Sequence, residues 1–295
     1  MATTISLAPP EERLGARPRP WRQMLRSASG AIGATIVAIY LIVALMGALG
    51  LTPYSPFEQN RVDRLQGPSR AHLMGTDILG RDVFSRIIKG GTNSLIVVSL
   101  SVLLACTIGT TIGVVAAYSG GLVDNLSMRV MDVFFAFPAI LLALLVVTVL
   151  GAGMRTTIFA IALVYIPIFS RVARAPVLAL KRTEFVEAAN SIGMRRWRIL
   201  LRHILPNAVA PIIVQISLAL SWALLTEAGL SFLGLGTPPP EPSWGQMLSE
   251  STGIAEIAPW LLIAPGAAIM LSVLGFNLLG DSLRDALDPR LRGSR

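Results

Sequence analysis

Few side chains in this 295-residue chain are placed to do chemistry. The two histidines, His72 and His203, lie far apart, and neither opens the His-Glu-x-x-His pair that would put two ligands on one helix face. Phosphate binding by a Gly-rich turn needs a Lys followed by Ser or Thr, yet Lys89 is followed by Gly90 and Lys181 by Arg182. The sequence therefore offers no such phosphate-holding turn. Gly229-Leu230-Ser231-Phe232-Leu233 lacks the second glycine of a nucleophile elbow, which disfavours an intramembrane hydrolase. The single Cys106 sits in an apolar run and allows no intrachain disulfide. Glu227 also stands in an apolar run, where a carboxylate is costly and so invites a functional reading as a pathway or proton-relay group. One carboxylate makes a poor relay. The plainer reading is structural, with Glu227 near the outer end of its helix, capping a neighbour or pairing with a basic residue of a partner subunit. Arg129 and Asp132, three apart on one helical face, read as a local ion pair.

The elements that position these residues are membrane helices. Hydrophobic residues make up 53% of the chain and charged ones 14%, with mean hydropathy +0.66, which is more apolar than soluble domains are. The net charge of +8 comes from basic residues flanking apolar runs, not gathered with aromatics on one soluble face, so the partner is membrane lipid and not nucleic acid. Six stretches match the ~20 apolar residues that cross a bilayer as helix. They are 30–51, 90–123, 133–154, 156–177, 207–233 and 257–280, the fourth carrying Arg171 and Arg174 that must snorkel to the headgroups. The mixed, Arg- and Pro-bearing stretch 1–29 does not read as a cleavable signal. With a cytoplasmic N-terminus, 18 Lys and Arg fall inside and seven outside, which sets both termini in the cytoplasm. Six of those seven lie in segment 52–89, an awkward fit to the rule. The outer loop 234–259 is the reverse, with three Glu, no basic residue and Pro238-Pro239-Pro240, and it reads as extended. Trp244 and Trp260 read as outer-interface rings.

Between the fourth and fifth spans lies a polar stretch from Thr183 to Asn207 that reads as two short helices. Thr183 suits an N-cap, and Glu184 and Glu187 suit the first turns. Gly193 can adopt the left-handed conformation that ends a helix. Trp197, Leu200, Leu201 and Ile204 then recur at helical spacing, leaving Arg195, Arg198 and Arg202 for another face, and Pro206 marks the start or a kink of the next span. By physics alone this elbow can lie on anionic headgroups or dock a partner.

The spacing Glu187-Ala188-Ala189, Gly193, then His203-Ile204-Leu205-Pro206-Asn207 resembles the EAA loop of ABC importer permeases. Further segments resemble the dipeptide, oligopeptide and nickel permease group: Gly75-Thr76-Asp77 with Gly80-Arg81-Asp82 and Ser85-Arg86, the run from Leu126 to Pro138 holding Arg129 and Asp132, Glu227 to Gly236, and Asn277 to Pro289 with Asp281 and Asp288. The likeness runs from Leu73 to Arg290, with Met74 and Gly229 as small departures.

The resemblance implies an all-α, polytopic membrane protein of about six transmembrane helices with type I ABC importer permease architecture. Its parts would be an N-terminal tail 1–29, a first span 30–51, an extracytoplasmic segment 52–89, a five-helix core 90–280 holding the coupling loop 178–207, and a C-terminal tail 281–295. It further implies a second, paralogous permease subunit, two ATPase subunits that carry ATP and Mg2+, and an extracytoplasmic substrate-binding protein. This chain itself would bind no cofactor. The location implied is a prokaryotic inner membrane, and the cargo di- or oligopeptides, with nickel, glutathione or antimicrobial peptides as alternatives. An ion-coupled transporter or channel is the rival class, although the sequence shows no internal repeat of the kind such proteins carry.

Overall fold

Helix ends in this chain are set by caps and prolines, not by the limits of the apolar runs. A computed structural model describes residues 24–25 and 27–287. Helix α1 (Ala28–Ala48) starts where the Ser27 hydroxyl accepts from the Gly30 N–H at 3.1 Å. Helix α2 (Val83–Ser119) starts at Asp82, whose carboxylate accepts from the Ser85 N–H at 2.8 Å. It therefore begins seven residues before the expected Gly90 and takes Arg86 and Lys89 into the helix. At ~1.5 Å per residue, its 37 residues are longer than a bilayer is thick.

The expected uninterrupted span 133–154 is instead a bent pair. Helix α3 (Gly121–Phe135) stops before Phe137-Pro138, because the residue preceding a proline is pushed out of helical geometry. Helix α4 (Ala139–Leu150) then leaves at 87° to α3. The 12 residues of α4 rise only about 18 Å, short of the ~30 Å hydrocarbon core.

Helix α5 (Met154–Leu180) returns across the bundle, followed by the short α6 (Glu184–Ser191). The second expected loop helix is continuous with the fifth span as α7 (Arg196–Phe232). Leu200–Ile204 within it is π-helical, with the Leu205 N–H donating to the Leu200 carbonyl. Pro206 explains this, since its ring crowds the carbonyl four residues back and a wider turn relieves the clash. The outer loop is not wholly extended, because the Ser243 hydroxyl accepts from the Gln246 N–H and starts helix α8 (Trp244–Ser251). Helix α9 (Trp260–Leu287) closes the described chain.

In lipid, helices gain little from hiding apolar surface, so small residues that allow close approach become decisive. At Gly109 a Cβ would press on the Ile166 carbonyl and Phe169, and at Gly113 on the Ser170 carbonyl, so α2 and α5 pack backbone to backbone. One buried cluster runs through the bundle, including Phe169, Ile161, Leu224 and Trp244. Trp244 is not an interface ring. It is 2% exposed, lies against Gly90 and Gly91, and donates Nε1–H to the Ile87 carbonyl at 2.9 Å.

Candidate functional site

The loop between α5 and α7 is anchored from beneath. Val186 and Ala189 of α6 and Ile199, Leu200 and Ile204 of α7 are buried with Val114 and Ala117 of α2 and Ala173 and Val177 of α5. The opposite face is open. Glu187 and Ala188 are exposed while Ala189 is buried, so the Glu-Ala-Ala triplet sits at the rim between core and surface. Thr183 occupies the N-cap position, but its hydroxyl donates to the Leu180 carbonyl at 2.6 Å and does not cap α6. Gly193 has φ +73° and open space where a side chain would stand, so its demand is conformational and not steric. The apolar face expected of Trp197, Leu200, Leu201 and Ile204 is split: Leu200 and Ile204 point inward, whereas Trp197 is 68% exposed and Leu201 43%. Phe185 and Ile192 are exposed as well. His203 and Leu205 are half-buried, Pro206 and Asn207 are exposed, and the Asn207 amide donates to the His203 carbonyl at 2.7 Å.

On the other membrane face, the residues from Gly75 to Arg86 form a charge clamp. Asp77 accepts from the N–H groups of Leu79 (2.8 Å) and Arg81 (2.9 Å), and from Arg81 Nε at 2.6 Å. Glu250 of α8 accepts from Arg81 Nη2 at 3.1 Å and from Arg86 Nη2 at 3.0 Å. Asp82 caps α2 with one oxygen and takes His72 Nδ1 at 2.9 Å with the other. The Thr76 hydroxyl donates to the Asp63 carbonyl and accepts from the Gln66 N–H at 2.9 Å. Gly75 and Gly80 both have φ near +75°, and a Cβ at Gly80 would collide with the Asn60 backbone. Glu250 was not singled out from sequence. The signal that could have found it is the opposite charge of the two outer segments: Lys89 lies 3.9 Å from Glu241, and Asn93 donates to Glu241 at 3.0 Å. Three of the six basic residues of segment 52–89, Arg81, Arg86 and Lys89, are thus neutralised within the protein.

Glu227 is 1% exposed and accepts from the hydroxyls of Ser94 (3.0 Å) on α2 and Ser231 (2.8 Å) on its own helix. No cation lies within ion-pairing distance among the described residues, so it bridges helices through neutral partners. Arg129 and Asp132 do not pair with each other. Asp132 accepts from Arg171 Nη2 at 2.6 Å, with that guanidinium 3.8 Å above the Phe135 ring, and Arg129 is exposed. Arg174 donates to both oxygens of Asp124 at 2.7 Å. The two arginines of the fourth span are therefore paired, and the mate of each comes from the bent α3. Asp281 is exposed on the last turns of α9, and Asp288 lies outside the described residues.

A bundle of apolar helices with a partly open, basic loop on one face and a neutralised clamp on the other has the form of a membrane transport component. A family model described as binding-protein-dependent transport system inner membrane component matches residues 109–293. The chain belongs to that family and is a multi-pass inner-membrane permease subunit of an ABC importer, in the peptide and nickel group. It is 45% identical over 288 residues to the dipeptide transport system permease protein DppC of Alkalihalophilus pseudofirmus, covering 96% of this chain and 94% of that one. It is 47% identical over 273 residues to the glutathione transport system permease protein GsiD of Pectobacterium atrosepticum, covering 92% of this chain and 90% of that one. Among solved structures, an inward-facing MetNI methionine ABC transporter matches with a TM-score of 0.54 and 18% identity, covering 68% of this chain and 96% of that one. That likeness concerns the fold, which is of the type I permease kind.

Proposed function

We propose that the chain carries di- or oligopeptides, or the related thiol peptide glutathione, across the inner membrane by alternating access, with both termini on the cytoplasmic side. Separate ATPase subunits dock on the coupling loop 178–207, chiefly from Glu187 to Asn207, a second permease subunit completes the path, and an extracytoplasmic binding protein delivers the solute. ATP and Mg2+ reside on the ATPases, and this chain binds no cofactor. The observation that carries the docking assignment is the exposure of Phe185, Ile192, Trp197 and Leu201 on a loop otherwise rich in Arg. Four large apolar side chains gain from being covered by a partner cleft or by lipid, and the spacing of Glu187-Ala188-Ala189, Gly193 and His203 to Asn207 favours the partner cleft. The relatives named for dipeptide and glutathione transport support the cargo class.

Gly193→Asp tests the loop. Open space around Gly193 means the variant still folds and inserts, but it carries a charge and a strained backbone at the docking turn. Uptake should be lost and ATPase co-purification weakened. Wild-type uptake in that variant would remove the docking assignment.

A further inference from the structure

Helix α3 divides its surface three ways. Asp124 and Met131 are buried against the bundle. Leu122, Leu126, Val130 and Val133, spaced four, four and three apart, form an exposed apolar stripe. Asn125, Arg129 and Asp132, spaced four and three, form an exposed polar stripe beside it. A helix crossing lipid would be apolar on every side that leaves the protein, and one in water would be polar there. This one has a protein face, an apolar face and a polar face, which is the pattern of a helix lying at a membrane surface against a protein wall.

Its orientation agrees. The axis of α3 is turned 87° from that of α4, so the two helices cannot both run along the bilayer normal. It is tied to the face that holds the docking loop: Lys181 donates to the Tyr118 carbonyl at 2.6 Å just before α3, and Arg174 clasps Asp124. The charges agree too. Arg171 and Arg174 neutralise Asp132 and Asp124, leaving Arg129 as the one cation of α3 that makes no ion pair among the described residues. Six further Lys and Arg, from Lys181 to Arg202, belong to the adjoining loop and its flanks. Anionic headgroups complement that surface.

We propose that α3 is an interfacial helix, seated in the leaflet on the docking-loop side, with the Leu122 to Val133 stripe in the acyl boundary and Arg129 on lipid phosphate. The test uses the assembled importer in vesicles of phosphatidylethanolamine and phosphatidylglycerol, with Cys106→Ser as background and a nitroxide on Leu126→Cys or Asn125→Cys. The Leu126 label should collide with oxygen, be shielded from a water-soluble nickel chelate, and lie ~5–10 Å below the phosphates. The Asn125 label should meet the chelate. Shielding of the Leu126 label from both reagents would mean that another subunit covers the stripe. Free access of the chelate to it would mean that the stripe lines an aqueous path. Either result overturns the proposal. ATP-dependent uptake of a labelled dipeptide or glutathione in the same vesicles reads the permease assignment separately.

Discussion

Arg86 shows how a single side chain can hold two distant segments at one end of the bundle. It is 1% exposed and shares Glu250 with Arg81, joining the segment before α2 to helix α8. Arg86→Met would leave Glu250 one donor short and strip Asp77 of a nearby cation 3.7 Å away. Breaking a buried pair costs about 3 kcal/mol, so the apparent Tm of the purified protein should fall by roughly 6–10 °C. An unchanged Tm would mean the clamp contributes nothing. Glu227 makes the complementary case. Because both of its partners are neutral hydroxyls, Glu227→Gln keeps the shape and one acceptor and should retain uptake and Tm, while Glu227→Ala strands the Ser94 and Ser231 hydroxyls and should lower Tm. Loss of uptake in a stably folded Glu227→Gln would instead point to a charge or proton role.

At the scale of elements, the pairing of α3 with α5 through Asp124 and Arg174 is the clearest case of a contact that holds a helix against its bend. Hydrogen bonds to charged groups contribute about 1.5–3 kcal/mol each way of counting, and Arg174 is one-third solvated, so Asp124→Ala should cost about 2 kcal/mol. The double exchange Asp124→Arg with Arg174→Asp should recover most of the lost Tm. Equal Tm loss in the single and exchanged variants would show that the pair itself is not the cause. These elements also mark what the sequence could and could not show. Apolar runs located five spanning helices because lipid demands length and hydropathy, which are local properties. Gly193 announced its positive φ for the same reason, since a helix that stops in a polar loop needs such a turn. The break at Pro138 was visible as a residue but was outweighed by the apolar run around it. Partners across the fold were not legible: Asp132 meets Arg171, not Arg129 three residues away, and Trp244 fills a space made by Gly90 and Gly91 of another helix. Only packing decides those.

For the whole molecule, the two polar ends have different characters. At the end that holds the clamp, Arg81, Arg86 and Lys89 are matched by Glu250 and Glu241 from another segment, which suits a rigid rim. The opposite end keeps Arg that make no ion pair among the described residues, and exposed Phe185, Ile192 and Trp197, on a loop rooted in the same buried cluster as α2, α5 and α7. Under the proposed docking, a push on that loop would reach three long helices through packed side chains, the kind of linkage by which one site biases the state of another. The most direct test of this account is solute uptake by vesicles holding this chain and its partner permease, with and without the ATPase subunits. Uptake that requires both the ATPases and ATP is the result predicted. Uptake driven by an ion gradient with no ATPase present would contradict it.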